Sequence, residues 1–568
     1  MILSSAERIR EFKARGWWGE QTLVNLFEMN VRTRPETEAL VDPPNLALLS
    51  DLPSQRLSWR QIEHAVRERA ALLHAHGVAK DDIILVQLPN SVELTLAYLA
   101  CLRLGAIISP APAQYRAHEL AGIVRRVGAV AAITTGRIGS YSPAETIVPL
   151  MAEHPTLRSV FSLGSAPPGT IGVENALASL SLQALLEADR AASEVNATAD
   201  DIVTVCWTSG TEAEPKGVPR SHNEWIIVGQ GTVSAARLEP GIRLLNPFPM
   251  VNMAGLATAF TTWLLTGGVL VQHHPFDLPV FLQQIRDEEI AYTVAPPVVL
   301  NTLLNNEHLV QGIDFERLNR IGSGSAPLSD WMMRTFRERH GVEIIYYFGS
   351  NEGACFAGCA DDIPDPAERA VYFPRLGDER FKWRYELADR LFVRVVDSDD
   401  HEEILQPGRV GELRVKGPTI FSGYWKAPEV TKRAFDADGW FRTGDLFEIA
   451  GADGRYLKFV GRLKDIIIRG GVNISAEELE LHLLSHPKVT DVAVVGSPDR
   501  DMGERLCACI VTKDDVALAE LNHFLVEEKK LAVFKQIERL IKMDALPRNA
   551  VGKVLKRELR EMVAAGTK

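Results

Sequence analysis

Residues 208–217 combine hydroxyl groups, a glycine and a lysine in one short segment, Thr-Ser-Gly-Thr-Glu-Ala-Glu-Pro-Lys-Gly. The segment follows an apolar run, Ile202–Trp207, that is typical of a buried strand. Such a loop suits phosphate binding through backbone amides and the point charge of Lys216. It is not a Walker loop, because the ending Gly-Lys-Ser/Thr is absent. Taken alone, the segment also fits a polar surface turn.

Five more segments place polar or charged side chains in short turns. A loop of small residues can lie against a flat base, and another segment ends a predicted strand with aromatic residues, polar side chains and one carboxylate. A carboxylate in a tight turn can accept hydrogen bonds from two ribose hydroxyls. Each segment by itself also fits an ordinary turn or a solvated charge. The five are Ser323–Leu328, Tyr346–Gly353, Trp440–Asp445, Gly461–Asp465 and Pro547–Lys553.

Short apolar runs alternate with helical patterns through most of the chain. This alternation predicts doubly wound sheets with crossover helices. One predicted helix carries Ile62, Val66 and Leu73 on a single face, and another covers about residues 92–104. The predicted strands cover residues 83–88, 131–135, 202–207, 269–272, 290–294 and 344–347.

Beyond Asp465 the pattern changes to a compact unit of βαβ character. Ser475 and Glu478 have the spacing of a capping box, which predicts a helix over residues 476–484. We therefore expect a domain boundary at Gly461–Asp465. The elements predicted after this helix are strands over 491–495 and 507–512 and a helix near 518–528.

Composition excludes several classes of protein. A chain of 568 residues exceeds what one hydrophobic core usually supports, so more than one domain is expected. The formal net charge of −12 argues against a nucleic-acid surface. Six cysteines without metal-ligand spacing predict reduced thiols. The N-terminal segment lacks the apolar core of a signal peptide, and no apolar run reaches the length of a membrane span, so we expect a cytoplasmic protein.

Taken together and in this order, the six segments resemble the core motifs of the adenylate-forming superfamily. That superfamily includes acyl-CoA synthetases, adenylation domains of peptide synthetases, and luciferases. The resemblance extends from Gln21–Leu23 and Leu57–Trp59 to Lys553. It implies an α/β fold with a large N-terminal domain, residues 1–463, built of doubly wound αβ subdomains plus a small β subdomain. Residues 464–568 would form a small, mobile α+β C-terminal domain, with the active site between the two.

The resemblance also implies an ATP site. The first segment would hold the β- and γ-phosphates, residues 324–327 and Phe348 would sandwich adenine, and Asp445 would bind the ribose hydroxyls. Glu352 and Thr211 would ligate Mg2+. The implied ATP- and AMP-binding residues are Thr208, Ser209, Gly210, Thr211, Lys216, Gly324, Ser325, Ala326, Pro327, Tyr347, Phe348, Gly349, Ser350, Asn351, Asp445, Arg462 and Lys553.

The implied catalytic residues are Lys553, Glu352, Lys216 and Arg462. Lys553 would bridge the carboxylate and the α-phosphate, since cations must offset the repulsion between two approaching anions. A thiol attacks next from another side, so a lysine needed only in the first step can lie on a domain that moves away. Lys464 matches the hinge position, and Gly470 and Gly471 match the segment that lines the thiol channel.

Three positions depart from the family pattern. Ala213 replaces a usual glycine, and the acids that flank it, Glu212 and Glu214, are expected to face solvent. Asn351 replaces a usual threonine at the phosphate, where its amide can still donate a hydrogen bond. Asn252 stands where many members carry a gating histidine. The sequence therefore does not define the gating residue or part of the acid pocket.

The acid pocket is implied at four positions, Trp225, Asn252, Met253 and Gly255, and ordinary core packing is the alternative interpretation of these residues. The stretches Gly16–Gly19 and Ser221–Asn223 are similar to the aryl-acid activating branch of the family. No basic residue is placed to receive a second carboxylate. We therefore expect a hydrophobic monocarboxylate, whether medium-chain, alicyclic or aromatic, in preference to acetate.

These features predict an ATP-dependent carboxylic acid–CoA ligase. It would form an acyl-adenylate with release of pyrophosphate, then an acyl-CoA thioester with release of AMP, using ATP, Mg2+ and coenzyme A. The alternative is a stand-alone acid–AMP ligase that loads the phosphopantetheine arm of a carrier protein. A third interpretation is a non-enzyme that binds an acyl-adenylate without turnover. Both a monomer and a homodimer are compatible with the sequence.

Overall fold

A computed structural model describes the chain except for residues 209–214, 325–327, 398–399, 471, 501, 530, 550–551 and 566–568. The chain forms two compact units. The first contains residues 1–208, 216–392 and 416–436, and the second contains residues 393–415 and 437–568. The predicted domain boundary between residues 463 and 464 falls inside the second unit and stays a prediction.

Two large sheets form the frame of the first unit. In both, the central strands are parallel and an antiparallel strand closes at least one edge, as expected where helices cross over between strands. The first sheet has the order Cys355–Gly358, Glu343–Gly349, Arg320–Gly324, Tyr292–Val294, Arg243–Asn246, Val269–Gln272, Glu38–Val41 and Arg56–Ser58. The second has the order Ile171–Gly172, Ser159–Leu163, Ala131–Thr135, Ile83–Val86, Ile107–Pro110, Ile202–Trp207 and Gly217–Ser221.

The strand predicted over residues 290–294 begins two residues later than expected, at Tyr292. The amide of Ile290 donates to the carbonyl of Ile285 in the preceding helix, so that residue completes the end of the helix. The strand Ile202–Trp207 has the predicted bounds and is buried throughout, which places the start of the candidate phosphate loop at its C-terminal end.

Helices cover both sheets of the first unit. The helix predicted over 92–104 is present as Val92–Arg103 and is almost entirely buried. The helical segments described in this unit are Ala6–Ala14, Leu23–Thr33, Leu46–Leu49, Trp59–Ala75, Val92–Arg103, Ala117–Val127, Pro143–Ile147, Leu150–Glu153, Val173–Ala178, Leu182–Glu194, His222–Ala236, Met253–Gly255, the π-helix Leu256–Thr261, Thr262–Thr266, Leu278–Asp287, Pro297–Asn305, the 3-10 turn Glu307–Val310, Asp330–His340, Pro366–Arg369 and Pro428–Ala434. The unit also contains a short strand, Tyr372–Pro374.

The second unit contains two further sheets. The first includes, in order, Tyr456–Arg462, Phe441–Ala450, Val410–Lys416, Phe392–Val396 and Glu403–Ile404. The second has the order Val472–Ser475, Ile466–Arg469, Gly503–Thr512 and Val489–Asp499, with Arg539–Lys542 beside Gly503–Thr512. Strands Gly503–Thr512 and Arg539–Lys542 are parallel, and a helix lies between them along the chain. This is the predicted βαβ unit. The remaining pairs of this second sheet are antiparallel.

The serine half of the predicted capping box is present in the second unit, whereas the Glu478 carboxylate accepts from Lys535. The Ser475 hydroxyl accepts a hydrogen bond from the Glu478 amide and opens the helix Ala476–Leu484. The helix predicted near 518–528 is present as an α-helical part, Leu518–His523, and a π-helical part, Phe524–Glu528. The remaining helical segments of this unit are Leu463–Asp465, Val533–Lys535 and Lys556–Ala565.

All six cysteines are buried free thiols, as the sequence predicts. Burial raises the pKa of both the Cys101 and the Cys206 thiols to about 12. In the part of the chain that the structure describes, no helix has the length and apolar character needed to cross a bilayer.

Candidate active site

The base of the candidate phosphate loop is closed by two hydrogen bonds between Thr208 and Lys216. The Thr208 amide donates to the Lys216 carbonyl at 3.0 Å, and the Lys216 amide donates to the Thr208 hydroxyl at 3.1 Å. These contacts hold the two ends of the loop together at the end of strand Ile202–Trp207. The predicted phosphate and metal ligands between them, Ser209, Gly210 and Thr211, lie outside the described residues, as do the departures at 212–214.

Glu352 lies in a tight turn that depends on glycine. Gly353 has a φ of 105°, and a Cβ there would lie 1.8 Å from the Thr419 carbonyl oxygen, so no other residue fits. The Tyr424 hydroxyl donates to Glu352 Oε1 at 2.9 Å. The Lys216 Nζ lies 5.3 Å from the centroid of the same tyrosine ring, within cation–π range. Tyr424 therefore has the predicted cation near its ring and the predicted carboxylate at its hydroxyl.

The predicted adenine site is described in part. Phe348 is half-buried and its ring stacks at 5.6 Å on Phe356. A Cβ on Gly324 would lie 2.2 Å from the Tyr347 carbonyl oxygen, so this strand end can approach its neighbour only as glycine. The Tyr347 hydroxyl lies 3.0 Å from the Tyr292 hydroxyl. Ser325, Ala326 and Pro327 lie outside the described residues.

The predicted acid-pocket residues fall into two environments. Trp225 is buried, donates from Nε1 to the Thr204 hydroxyl at 2.9 Å, and lines a cavity of about 10 Å3. The Asn252 carboxamide oxygen accepts from the Ala254 and Gly255 amides, at 3.1 and 3.4 Å, and so caps the turn that begins at Met253. The position where the family carries a gating histidine is thus used here to fix local backbone.

Asn351 has its side chain engaged by protein groups on two sides. Its Oδ1 accepts from the Met253 amide at 2.8 Å, and its Nδ2 donates to the Trp207 carbonyl at 3.1 Å. The fully buried Arg220 donates from Nη1 to the Asn351 carbonyl at 3.1 Å. Of the neighbouring predicted residues, the Ser350 amide donates to the Ala354 carbonyl at 2.9 Å, and Gly349 is exposed.

The candidate ribose site lies in the second unit. Asp445 and Arg462 are cross-strand partners on Phe441–Ala450 and Tyr456–Arg462, and Arg462 Nε lies 3.4 Å from Asp445 Oδ1. The Asp445 amide donates to the Thr443 hydroxyl at 3.1 Å, after a turn at Gly444 with a φ of 69°. The arginine and the carboxylate predicted to bind ribose are therefore neighbours within this unit.

The remaining predicted residues also lie in the second unit. Lys464 is exposed in a 3-10 turn, and its carbonyl accepts from Arg560 at 3.3 Å. Gly470 has a φ of 56°, and Gly471 lies outside the described residues. Lys553 is exposed, and its amide donates to the Asn549 side chain at 2.9 Å.

Two residues beside the candidate site were missed by sequence reasoning. Tyr424 is 72 residues from Glu352 along the chain, and Arg220 is 131 residues from Asn351. The signal at Tyr424 was the run Gly423-Tyr424-Trp425, in which Gly423 has a φ of 146°. Arg220 carried a weaker signal, a charged residue placed directly after an apolar stretch.

Comparison with known proteins gives the family. The model of the AMP-binding enzyme family matches residues 27–425, and that of the AMP-binding enzyme C-terminal domain matches residues 478–553. The chain belongs to the AMP-binding enzymes. The predicted resemblance to the adenylate-forming superfamily is therefore confirmed, and so is the prediction of an enzyme.

Individual AMP-binding enzymes resemble this chain over nearly its whole length. A medium-chain fatty-acid–CoA ligase of Escherichia coli (strain K12) is 29% identical over 559 residues, which are 98% of this chain and 93% of the relative. A 2-hydroxy-7-methoxy-5-methyl-1-naphthoate–CoA ligase of Streptomyces carzinostaticus is 30% identical, with 98% and 95% covered.

A solved structure shows the same fold. ATP-bound MatB from Rhodopseudomonas palustris aligns with a TM-score of 0.77 and 26% identity, covering 96% of this chain and all of that one (100%). The predicted α/β fold class of an AMP-binding enzyme is confirmed.

Proposed function

We propose that the chain is an AMP-forming acid–CoA ligase. In the first half-reaction a carboxylate oxygen attacks the α-phosphorus of ATP, and the bond from that phosphorus to the bridging oxygen breaks, so pyrophosphate leaves. In the second, the deprotonated thiol of coenzyme A attacks the acyl carbonyl. The acyl–oxygen bond breaks, and AMP leaves with the electron pair.

One observation carries this proposal: Lys216 and Glu352 meet at Tyr424. A lysine at the base of a loop that follows a buried strand is placed to contact phosphate oxygens. A carboxylate held 2.9 Å from the same tyrosine's hydroxyl is placed to hold a cation against those phosphates. This pairing of one cation with one oriented carboxylate is what a nucleotide–metal complex needs.

The carboxylate of Glu352 is suited to bind Mg2+. Within the described residues, no three or more His, Cys, Asp or Glu side chains gather as a metal site. Mg2+ is usually bound through one or two carboxylates together with substrate phosphates, so a single oriented carboxylate is sufficient. When bound, the metal offsets negative charge on the phosphates. Glu352 would hold it, with Tyr424 fixing the orientation of the carboxylate.

The second unit would supply the remaining groups. Asp445 would accept the ribose hydroxyls, and Arg462 would hold that carboxylate in place. Lys553 would stabilise charge on the α-phosphate during adenylation, and Lys464 would be the hinge between the two half-reactions. Gly470, with its positive φ, would line the thiol channel.

We propose a hydrophobic monocarboxylate as the acid. The predicted pocket residues Trp225 and Met253 are apolar and buried. The Escherichia coli relative is named for medium-chain fatty acids and the Streptomyces relative for a naphthoate, and both names specify CoA. These names support a medium-chain or aromatic acid and CoA as the thiol.

The acid and the thiol can be tested together. Pyrophosphate exchange measured with a panel of medium-chain, alicyclic and aromatic acids identifies the acid, and adding CoA or a phosphopantetheinyl carrier protein identifies the acceptor. Thioester formation on CoA supports the proposal. Transfer only to the carrier protein would favour the stand-alone acid–AMP ligase, and no exchange with any acid would refute both.

Lys553→Ala tests the mechanism. We expect pyrophosphate exchange to fall by at least about 100-fold, because an electrostatic contact in the transition state is typically worth that much. Thioester formation from supplied acyl-adenylate should remain within a few-fold of wild type. The matched control is Lys542→Ala, an exposed lysine of the same unit paired with Asp515. Equal loss in both half-reactions would contradict the role of Lys553.

A further inference from the structure

Asn351 lies where three segments of the first unit meet. Its side chain bridges the Trp207 carbonyl, at the end of one large sheet, and the Met253 amide, which follows a strand of the other. Its own backbone precedes Glu352 and is held by Arg220. A single half-buried carboxamide thus connects the two sheets at the ends of their strands.

The orientation of this carboxamide is fixed by its partners. The Met253 amide can only donate and the Trp207 carbonyl can only accept, so Oδ1 must face the first and Nδ2 the second. A threonine hydroxyl, as in the usual family residue, offers a single oxygen, whereas the carboxamide carries its donor and its acceptor on two separate atoms. The two-atom bridge is therefore a property of asparagine at this position.

Each end of the bridge leads to a different part of the candidate site. Trp207 is followed by Thr208, whose contacts with Lys216 close the phosphate loop. Met253 begins the turn capped by Asn252, and its Cγ would lie 3.7 Å from a Cβ on Gly349. Asn351 thus contacts both the Met253 turn and the end of the strand that precedes the phosphate loop.

We propose that Asn351 is a positioning residue that couples binding of the acid to binding of ATP. This inference rests on the proposed function, since it takes the Met253 turn as acid-binding and the Thr208–Lys216 loop as phosphate-binding. When acid orders the Met253 turn, the bridge holds Trp207 and the loop base in the geometry that ATP requires. Because such coupling is reciprocal, bound ATP raises the affinity for the acid by the same factor.

Calorimetric titration measures this coupling directly. The probes are α,β-methylene-ATP, which the first half-reaction cannot cleave, and octanoate or benzoate, whichever supports the faster pyrophosphate exchange. In wild type we expect the nucleotide analogue to tighten acid binding by roughly 5- to 150-fold, the usual range of such coupling. In Asn351→Asp, an oxygen faces the Trp207 carbonyl while the Met253 contact remains, so the ratio should fall to about 1. Asn351→Thr should do the same.

Asn306→Asp is the matched control. It makes the same substitution at a carboxamide of the first unit whose Nδ2 also donates to a backbone carbonyl, that of Thr302, but it does not touch the bridge, so the ratio should be kept. A wild-type ratio of 1, or a ratio retained in both folded Asn351 variants, overturns this inference and leaves the proposed function standing. A wild-type protein that binds neither probe and shows no exchange overturns the proposed function first.

Discussion

Each unit of the enzyme buries a group of charged side chains, and the two groups are neutralised differently. In the first unit, the arginine cluster consists of Arg8, Arg220 and Glu224. Arg220 and Glu224 are fully buried, and Arg8 Nη2 lies 3.7 Å from Glu224 Oε1. Arg220 Nη2 donates to the Glu224 carbonyl at 3.0 Å, so its partners are backbone oxygens. Two guanidinium groups, which do not lose their protons in proteins, surround one carboxylate.

In the second unit, the lysine cluster consists of Lys556, Arg560, Asp465, Glu477 and Glu480. Lys556 Nζ lies 2.8 Å from Glu480 Oε1 and 3.9 Å from Glu477 Oε1, and Arg560 pairs with Asp465 at 2.5 Å. Burial raises the pKa of Glu480 to about 7 against the opposing charge of Lys556. Burial opposes the charge on Lys556, but the three carboxylates together raise its pKa.

The difference lies in what each cluster can do when a charge is removed. The lysine cluster has three carboxylates for two cations, and one of them can take up a proton near neutral pH. The arginine cluster has two cations for one carboxylate, and neither cation can give up its proton. Burial also raises the pKa of Glu224, although Arg220 and Arg8 oppose that shift. The first unit therefore has two cations of fixed charge, whereas the second has a carboxyl group that titrates near neutral pH.

The largest effect is expected for Glu224→Gln. Glutamine keeps the capping box with Ser221 but removes the carboxylate that pairs with Arg8 beside the buried Arg220. We expect the free energy of unfolding of the first unit to fall by about 3–5 kcal/mol at pH 7.5, the usual effect of breaking a buried ion pair. Thermal unfolding by calorimetry measures it. A loss below about 1 kcal/mol would mean that Glu224 is protonated in the native protein and that the two clusters behave alike.

A smaller effect is expected for Lys556→Met. The remaining carboxylates can bind a proton, so we expect the unfolding free energy of the second unit to fall by about 2 kcal/mol at pH 8 and by less at pH 6. Chemical unfolding at the two pH values measures the difference. Lys542→Met, on the surface of the same unit, should change stability by less than about 0.5 kcal/mol. A pH-independent loss would show that the carboxylates do not adjust.

The smallest effect is expected for Glu480→Gln, and here the free energy of unfolding should rise instead of fall. Because the native pKa of Glu480 is about 7 and its ordinary value is 4.5, the folded protein keeps this proton while the unfolded chain releases it. The stabilising contribution is complete below pH 4.5 and is lost as the pH rises to 7. The variant should therefore match wild type below pH 4.5 and exceed it at pH 8, where wild type carries the buried charge on Glu480. A variant less stable than wild type at pH 8 would contradict a raised pKa for Glu480.

The sequence predicted the elements of this fold better than their contacts. Strand Ile202–Trp207 and helix Ala476–Leu484 were predicted with their observed bounds, because a buried apolar run and a capping box are local signals. The strand over 290–294 was predicted two residues too long at its start, since the last turn of the preceding helix takes the Ile290 amide.

Contacts between distant segments could not be predicted in the same way. Asn351 was expected to donate to a phosphate, and in the structure its Nδ2 donates to Trp207, 144 residues away along the chain. Such contacts depend on the order of strands in two sheets, which hydrophobic periodicity does not specify. The proximity of Tyr424 to Glu352 was missed for the same reason.

The burial of all six cysteines has a practical consequence for the bench. A thiolate reacts with disulfide reagents only when the reagent can reach it, and a buried thiol does not meet that condition. In the native protein, a colorimetric thiol reagent will therefore report consumption of coenzyme A without a background from the enzyme. The same reagent will register new thiols as soon as a variant unfolds, so one assay follows both turnover and integrity.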